Sequence, residues 1–263
     1  MDHMPLDTYT LAVTFLFGLA VGSFLNVCIH RLPRSMSISG PRSLCPHCQA
    51  VIRWYDNIPF LSYLVLRGRC RKCGEGISPR YPLVEFVSGL FTVAVLLRFG
   101  FEPVAAVMYA LICALIVITF IDLDHQIIPD VITLPGIALG LALSFVLPDV
   151  SWKSSLLGIL VGGGGLLAVA WGYSLLTGKD GMGGGDVKLL AMQGAFLGPG
   201  GVLFTLMAGA FVGSLVGVTL MLVQKQDRKM VVPFGPFLAI GAILYIFWGH
   251  PLVAWYMGFF RQV

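Results

Sequence analysis

Charge is what this chain has least of. Only 11% of its 263 residues are Asp, Glu, Lys or Arg, against roughly 25% in a soluble domain. That shortage excludes a soluble globular enzyme, because the chain lacks the polar residues to cover itself in water. It also lacks the polar majority of a disordered chain: 57% of its residues are apolar or aromatic, and the mean hydropathy is +0.87. Basic residues number only 17, and most adjoin apolar runs, which disfavours a nucleic-acid partner. The first ten residues contain neither Lys nor Arg. A cleavable signal peptide needs a basic start, so the first apolar run reads as a retained helix. No internal repeat is visible.

What the chain does have is glycine, 32 residues of it, and long apolar runs. Glycine suits membrane helices because it lets their backbones approach closely. The patch Gly162–Gly165 reads as such a packing surface. Searching for apolar runs of about 20 residues gives a first helix from Tyr9 to Ile29, then a polar stretch, residues 30–80. Further runs fall at Pro82–Leu97, Pro103–Ile121, Val131–Leu147, Ser155–Leu176, Val187–Leu197, Gly201–Val223 and Val232–Trp248. The expectation is an all-α polytopic membrane protein with about eight transmembrane helices. The sixth run is the weakest and leaves open a re-entrant or half-buried segment. The tail Pro251–Phe260 reads as interfacial.

Loop charge sets the orientation, since Lys and Arg collect on the cytoplasmic side. With eight spans, one side holds Arg31, Arg34, Arg42, Arg53, Arg67, Arg69, Arg71, Lys72, Arg80, Lys179, Lys188, Lys225, Arg228 and Lys229. The other holds only Arg98, Lys153 and Arg261. The polar stretch is thus expected in the cytoplasm and the N-terminus in the periplasm. The expected divisions are 1–29 (first helix), 30–80 (a small cytoplasmic domain) and 81–263 (a multi-helix membrane domain).

Four of the six cysteines form Cys45-Pro-His-Cys48 and Cys70-Arg-Lys-Cys73, with 21 residues between the pairs. Paired C-x2-C turns each fold two sulfurs toward one point, the usual construction of a tetrahedral thiolate zinc site. Four protein ligands leave no open position, so such a zinc would be structural. Gly74 suits the turn after Cys73, and Arg69, Arg71 and Lys72 are placed to offset the thiolate charge. A reducing cytoplasm argues against disulfides; a redox dithiol or an iron site are the alternatives. Cys28 and Cys113 fall in apolar runs and read as small apolar fillers.

Carboxylates at the ends of apolar runs are costly, and therefore informative. One cluster is Asp122-Leu-Asp124-His125-Gln126-Ile-Ile-Pro129-Asp130, directly after the third run; another is Gly181-Met-Gly183-Gly-Gly185-Asp186-Val-Lys188. Two facing carboxylates share a proton, because like charges at close range cannot both ionise. One then serves as general base on a water while the other, protonated, polarises a peptide carbonyl. Asp130 reads as the N-cap of the fourth run. Spacing alone does not choose between Asp122 and Asp124. Nor does it distinguish a protease from a proton-coupled transporter with a zinc-ribbon regulatory domain, or from a non-enzymatic assembly scaffold.

The order of motifs resembles the bacterial type IV prepilin peptidases, intramembrane aspartyl proteases of the G-x-G-D kind. Gly22-Ser-Phe-Leu-Asn-Val27 with His30-Arg-Leu-Pro33, the paired cysteines, Arg80-Tyr-Pro-Leu-Val-Glu85, Asp122 to Asp130 and Gly183-x-Gly185-Asp186 stand in the family's order. The resemblance implies that Asp122, six residues before Ile128, and Asp186 are the catalytic pair. It implies cleavage of the basic leader, after its final Gly, from type IV prepilins or type II secretion pseudopilins at the cytoplasmic face of the inner membrane. It further implies N-methylation of the new terminus from S-adenosylmethionine. No methyltransferase fingerprint is visible, so no residue is assigned to the methyl donor.

Overall fold

The computed structural model describes residues 7–40, 42–145, 150–178, 183–224 and 233–260. Lys179, Lys225, Arg228, Lys229 and Arg261 of the charge asymmetry lie outside these, as do Gly181 and Met182. Among the described residues the regular structure is helical: α1 (Thr8–Arg31), α2 (Leu61–Val65), α3 (Arg80–Phe99), α4 (Pro103–His125), α5 (Asp130–Leu143), α6 (Trp152–Ile159), α7 (Gly165–Thr177), α8 (Gly184–Gln224) and α9 (Gly235–Phe260). Extended pairing is limited there to two isolated bridges, Leu44 with Val51 and Arg69 with Gly76. The described residues of each of the eight expected apolar runs meet a helix, the fifth run covering α6, a π-helical turn and α7; Val146, Leu147 and Val232 of those runs lie outside the described residues. Among the described residues, five stretches are long and apolar enough to cross a bilayer: Thr8–Arg34, Arg80–Phe99, Pro103–His125, Trp152–Thr177 and Gly184–Leu222. Asp130–Leu143 and Gly235–Gly249 are shorter apolar helices. Large side chains such as Phe17, Leu97, Phe211 and Leu222 are exposed, a surface made for lipid rather than water.

The sixth and seventh runs share one helix. At 1.5 Å per residue, the 41 residues of α8 would span about 60 Å, twice the hydrocarbon core of a bilayer. The helix breaks at Gly198, where φ is 69° and ψ −178°, a conformation that glycine reaches without a steric penalty. Pro199 follows. The half before the break is the weak sixth run, and its Leu189, Leu190, Met192 and Gln193 are at most 1% exposed. Its modest apolarity belongs to a helix wrapped in protein.

The chain gathers into two compact units, Met1–Val117 and Ile118–Val263, with the boundary inside α4. In the first, α1 packs against α3 through small residues. A Cβ on Gly22 would lie 2.6 Å from the Glu85 Cα, and the Ser88 hydroxyl donates to the Gly18 carbonyl at 2.8 Å. Asn26 donates to the Tyr81 carbonyl at 3.0 Å. The Glu85 carboxylate, 8% exposed, accepts the Phe60 N–H at 2.7 Å. Phe60 has φ 61° and its ring packs on Phe86 at 5.6 Å. This latch joins the polar stretch to α3.

In the second unit α5, α6 and α9 pack around α8. Gly158 of α6 and Gly194 of α8 meet backbone to backbone: a Cβ on Gly158 would sit 2.1 Å from the Gly194 carbonyl oxygen. Ser155 donates to the Ala195 carbonyl at 2.8 Å, and Gln193 to the Leu238 carbonyl of α9 at 3.2 Å. The glycine patch divides between two roles. Residues 160–164 form a π-helical turn between α6 and α7, in which Gly162 and Gly163 are buried against α8, while Gly164 and Gly165 face open space.

Candidate functional site

The two C-x2-C segments form matching turns. Cys45 N–H donates to the Ala50 carbonyl at 2.9 Å and Cys70 N–H to the Glu75 carbonyl at 2.8 Å; Gln49 and Gly74 donate back to Cys45 and Cys70 at 2.9 Å each. The residue after each second cysteine takes positive φ, 55° at Gln49 and 74° at Gly74. The four sulfurs lie within 4.8 Å of one another, and Cys45 Sγ to Cys73 Sγ is 3.9 Å. A tetrahedron with metal–sulfur bonds of about 2.3 Å requires sulfurs about 3.8 Å apart, so the donor set fits a metal ion.

The electrostatics favour a cation here too. Backbone N–H groups of Cys73 and Lys72 hold the Cys70 thiol down to about 6. Cys73 goes the other way, up to about 12. The Glu75 N–H favours its thiolate, but desolvation and the sulfurs of Cys70, Cys48 and Cys45 outweigh it. Adjacent thiolates repel, and a divalent cation removes the conflict. Arg71 is not aimed at the sulfurs as expected. Its guanidinium grips the Asp56 carboxylate through Nε at 2.9 Å and an Nη at 2.7 Å, tying the second turn to the segment Trp54–Asp56.

The aspartates lie in the second unit. Asp122, near the C-terminal end of α4, is 5% exposed, whereas Asp124 faces outward. Two residues on a helix differ by about 200° in direction, so only one of the pair can point inward. Asp122 Oδ2 accepts the N–H of Gly235 at 3.0 Å. Gly235 opens α9; the Phe234 carbonyl takes the N–H groups of Phe237 and Leu238, and Pro236 has none to offer. The start of α9 is therefore directed at Asp122.

Asp186 lies in the first turn of α8, its N–H donating to the Gly183 carbonyl at 3.2 Å. Each carboxylate thus adjoins a helix N-terminus, which favours negative charge. Ile128 connects the two positions. Its side chain lies 2.9 Å from where a Cβ on Gly185 would be and 3.3 Å from where one on Gly235 would be. The structure thus brings together Asp122, Ile128, Gly185, Asp186 and Gly235.

Asp130 does not cap α5. The cap position is Pro129, with no side-chain hydrogen bond, and Asp130 instead holds the Lys188 ammonium at 2.7 and 2.8 Å. Proline already supplies the helix-starting φ, which frees the carboxylate for a long-range partner. Gly235 carries no local sequence signal of a role at the site. Its neighbours Pro233-Phe-Gly-Pro-Phe237 signal a helix start, but not what that start faces.

Residues 16–99 match the bacterial peptidase A24 N-terminal domain, and residues 109–218 the type IV leader peptidase family. A prepilin leader peptidase/N-methyltransferase of Aeromonas hydrophila is 39% identical over 94% of this chain and 93% of its own length. One of Stutzerimonas stutzeri is 40% identical over 93% and 92%. One of Myxococcus xanthus is 43% identical over 84% of this chain and 68% of its own. No solved structure matches. The matched residues fall in both units, and the chain belongs to the type IV leader peptidase family.

Proposed function

We propose that the protein is an aspartyl endopeptidase of the inner membrane that removes the basic leader from type IV prepilins or type II secretion pseudopilins and then N-methylates the new terminus. The reading rests on the convergence of Asp122 and Asp186 at the starts of α9 and α8. One carboxylate takes a proton from water, and the resulting hydroxide adds to the scissile carbonyl. The other, protonated, donates to the carbonyl oxygen, and the proton taken from water passes to the departing amine. The burial of Asp122 and its bond from Gly235 favour it over Asp124 as partner of Asp186. Family membership sets aside the transporter and scaffold readings.

Cys45, Cys48, Cys70 and Cys73 would hold zinc, which supplies a cross-link within residues 30–80. Because all four ligands are protein sulfurs, its role is structural. S-adenosylmethionine is the methyl donor that the activity requires; no residue is assigned to it. The charge asymmetry favours residues 30–80 in the cytoplasm and the N-terminus in the periplasm, and the domain divisions 1–29, 30–80 and 81–263 follow that topology. The test is cleavage of a prepilin by purified protein. Asp122→Asn and Asp186→Asn should each be inactive while still inserting; near-normal turnover would remove that residue from the mechanism.

A further inference from the structure

Ile128 occupies an unusual place in this site. Its Cβ, Cγ1 and Cδ1 lie 2.9, 3.4 and 3.5 Å from the Cβ position of Gly185, and its Cδ1 is 3.3 Å from that of Gly235. The Gly235 position is in turn 2.6 Å from Asp122 Oδ2, and Gly185 immediately precedes Asp186. A single branched side chain therefore fills the gap between two glycines, each next to a carboxylate. A Cβ on Gly185 would collide with Ile128, and one on Gly235 would collide with Asp122 Oδ2 while pressing tightly on Ile128 Cδ1.

The loop holds Ile128 in place from both sides. A β-branched side chain is stiff at χ1. Gln126 turns out of α4 at φ 53°, Pro129 has a fixed φ, and Asp130 grips Lys188 of α8 at 2.7 and 2.8 Å. The side chains of that ion pair are 39% and 53% exposed, so it adds little stability. Its consequence is placement: it ties the loop to the helix that carries Asp186.

A peptide bond attacked between the two carboxylates must pass beside both, and hence against Ile128. A substrate Cβ brought against this wall would meet the same Ile128 side chain that crowds the Cβ position of Gly185. We infer that Ile128 is a specificity-determining residue, the wall of the subsite that receives the residue before the scissile bond, and that it admits glycine there by shutting out a Cβ. The inference rests on the peptidase reading and adds the residue that enforces the choice.

The test compares two prepilins, carrying Gly or Ala before the scissile bond, with wild type, Ile128→Ala and Ile128→Val, by kcat/KM. Wild type should prefer Gly. Ile128→Ala should narrow that preference by about 10–200-fold, the range that small changes of pocket volume produce, and Ile128→Val by less in the same direction. A merely structural role would lower both rates together and leave the preference fixed. An unchanged preference in Ile128→Ala overturns the inference. If Ile128→Ala cuts neither prepilin, Ile128→Val decides, and a preference unchanged there overturns it equally. Failure of wild type to cut the glycine prepilin would defeat the peptidase reading instead, a result distinct from cleavage with fixed preference.

Discussion

Asp122 and Asp124 are chemically identical and two residues apart, yet only Asp122 is buried, with an N–H from Gly235 on its Oδ2. Loss of a general acid or base costs on the order of 10²–10⁴ in rate. Asp122→Asn should therefore lose cleavage by at least that factor in a prepilin assay, and Asp124→Asn should stay within a few-fold of wild type; the reverse order would mean the wrong carboxylate. Gly235→Ala is a subtler probe. Its Cβ would lie 2.6 Å from Asp122 Oδ2, so the carboxylate or the start of α9 must shift. A misplacement near 1 Å can cost about 10²-fold, and kcat should fall while the protein still inserts. At this scale the sequence was half legible. Both aspartates stand out as charges on apolar runs, whereas the bond from Gly235 joins residues 113 apart in the chain, and no local pattern contains it.

The helices were legible because lipid imposes a length and a composition on each of them. How they contact one another was not. The Gly162–Gly165 patch draws the eye, yet two of its four residues face open space, while the isolated Gly158 and Gly194 bring α6 and α8 together backbone to backbone. Glycine counts in a sequence carry no information about partners. Gly158→Ala would place a Cβ 2.1 Å from the Gly194 carbonyl oxygen, and neither backbone can step aside. Overpacking of this kind costs about 1–3 kcal/mol, so thermal unfolding in detergent should move clearly downward. Gly164→Ala, with nothing within 4 Å, should unfold at or near the wild-type temperature. Equal behaviour of the two variants would contradict the packing. Gly198 has the same lesson: its break in α8 appears in sequence only as Gly198-Pro199 inside an apolar run, which reads as a boundary between two spans.

For the molecule as a whole, two chemistries are divided between the two units: four cysteines in the first, two aspartates in the second. The cysteine spacing revealed its geometry because ligand arithmetic is local, and the folded turns bring the four sulfurs within 4.8 Å. Residues 30–80 are too few to bury much of a core, so metal binding should supply much of their folding free energy. Elemental analysis should find one zinc per chain, and Cys70→Ser should make residues 30–80 sensitive to limited proteolysis. Peptidase activity should survive in part, since the aspartates belong to the other unit, while methyl transfer falls further if this segment houses it. Iron at the site, or equal protease resistance of wild type and variant, would contradict the zinc role. Purified protein incubated with a prepilin, with and without S-adenosylmethionine, should yield a product short of the leader in both cases, and one methyl heavier only with the donor. A prepilin left at full mass by the wild-type protein, or cut as well by the Asp122→Asn/Asp186→Asn double variant, would contradict the proposed function.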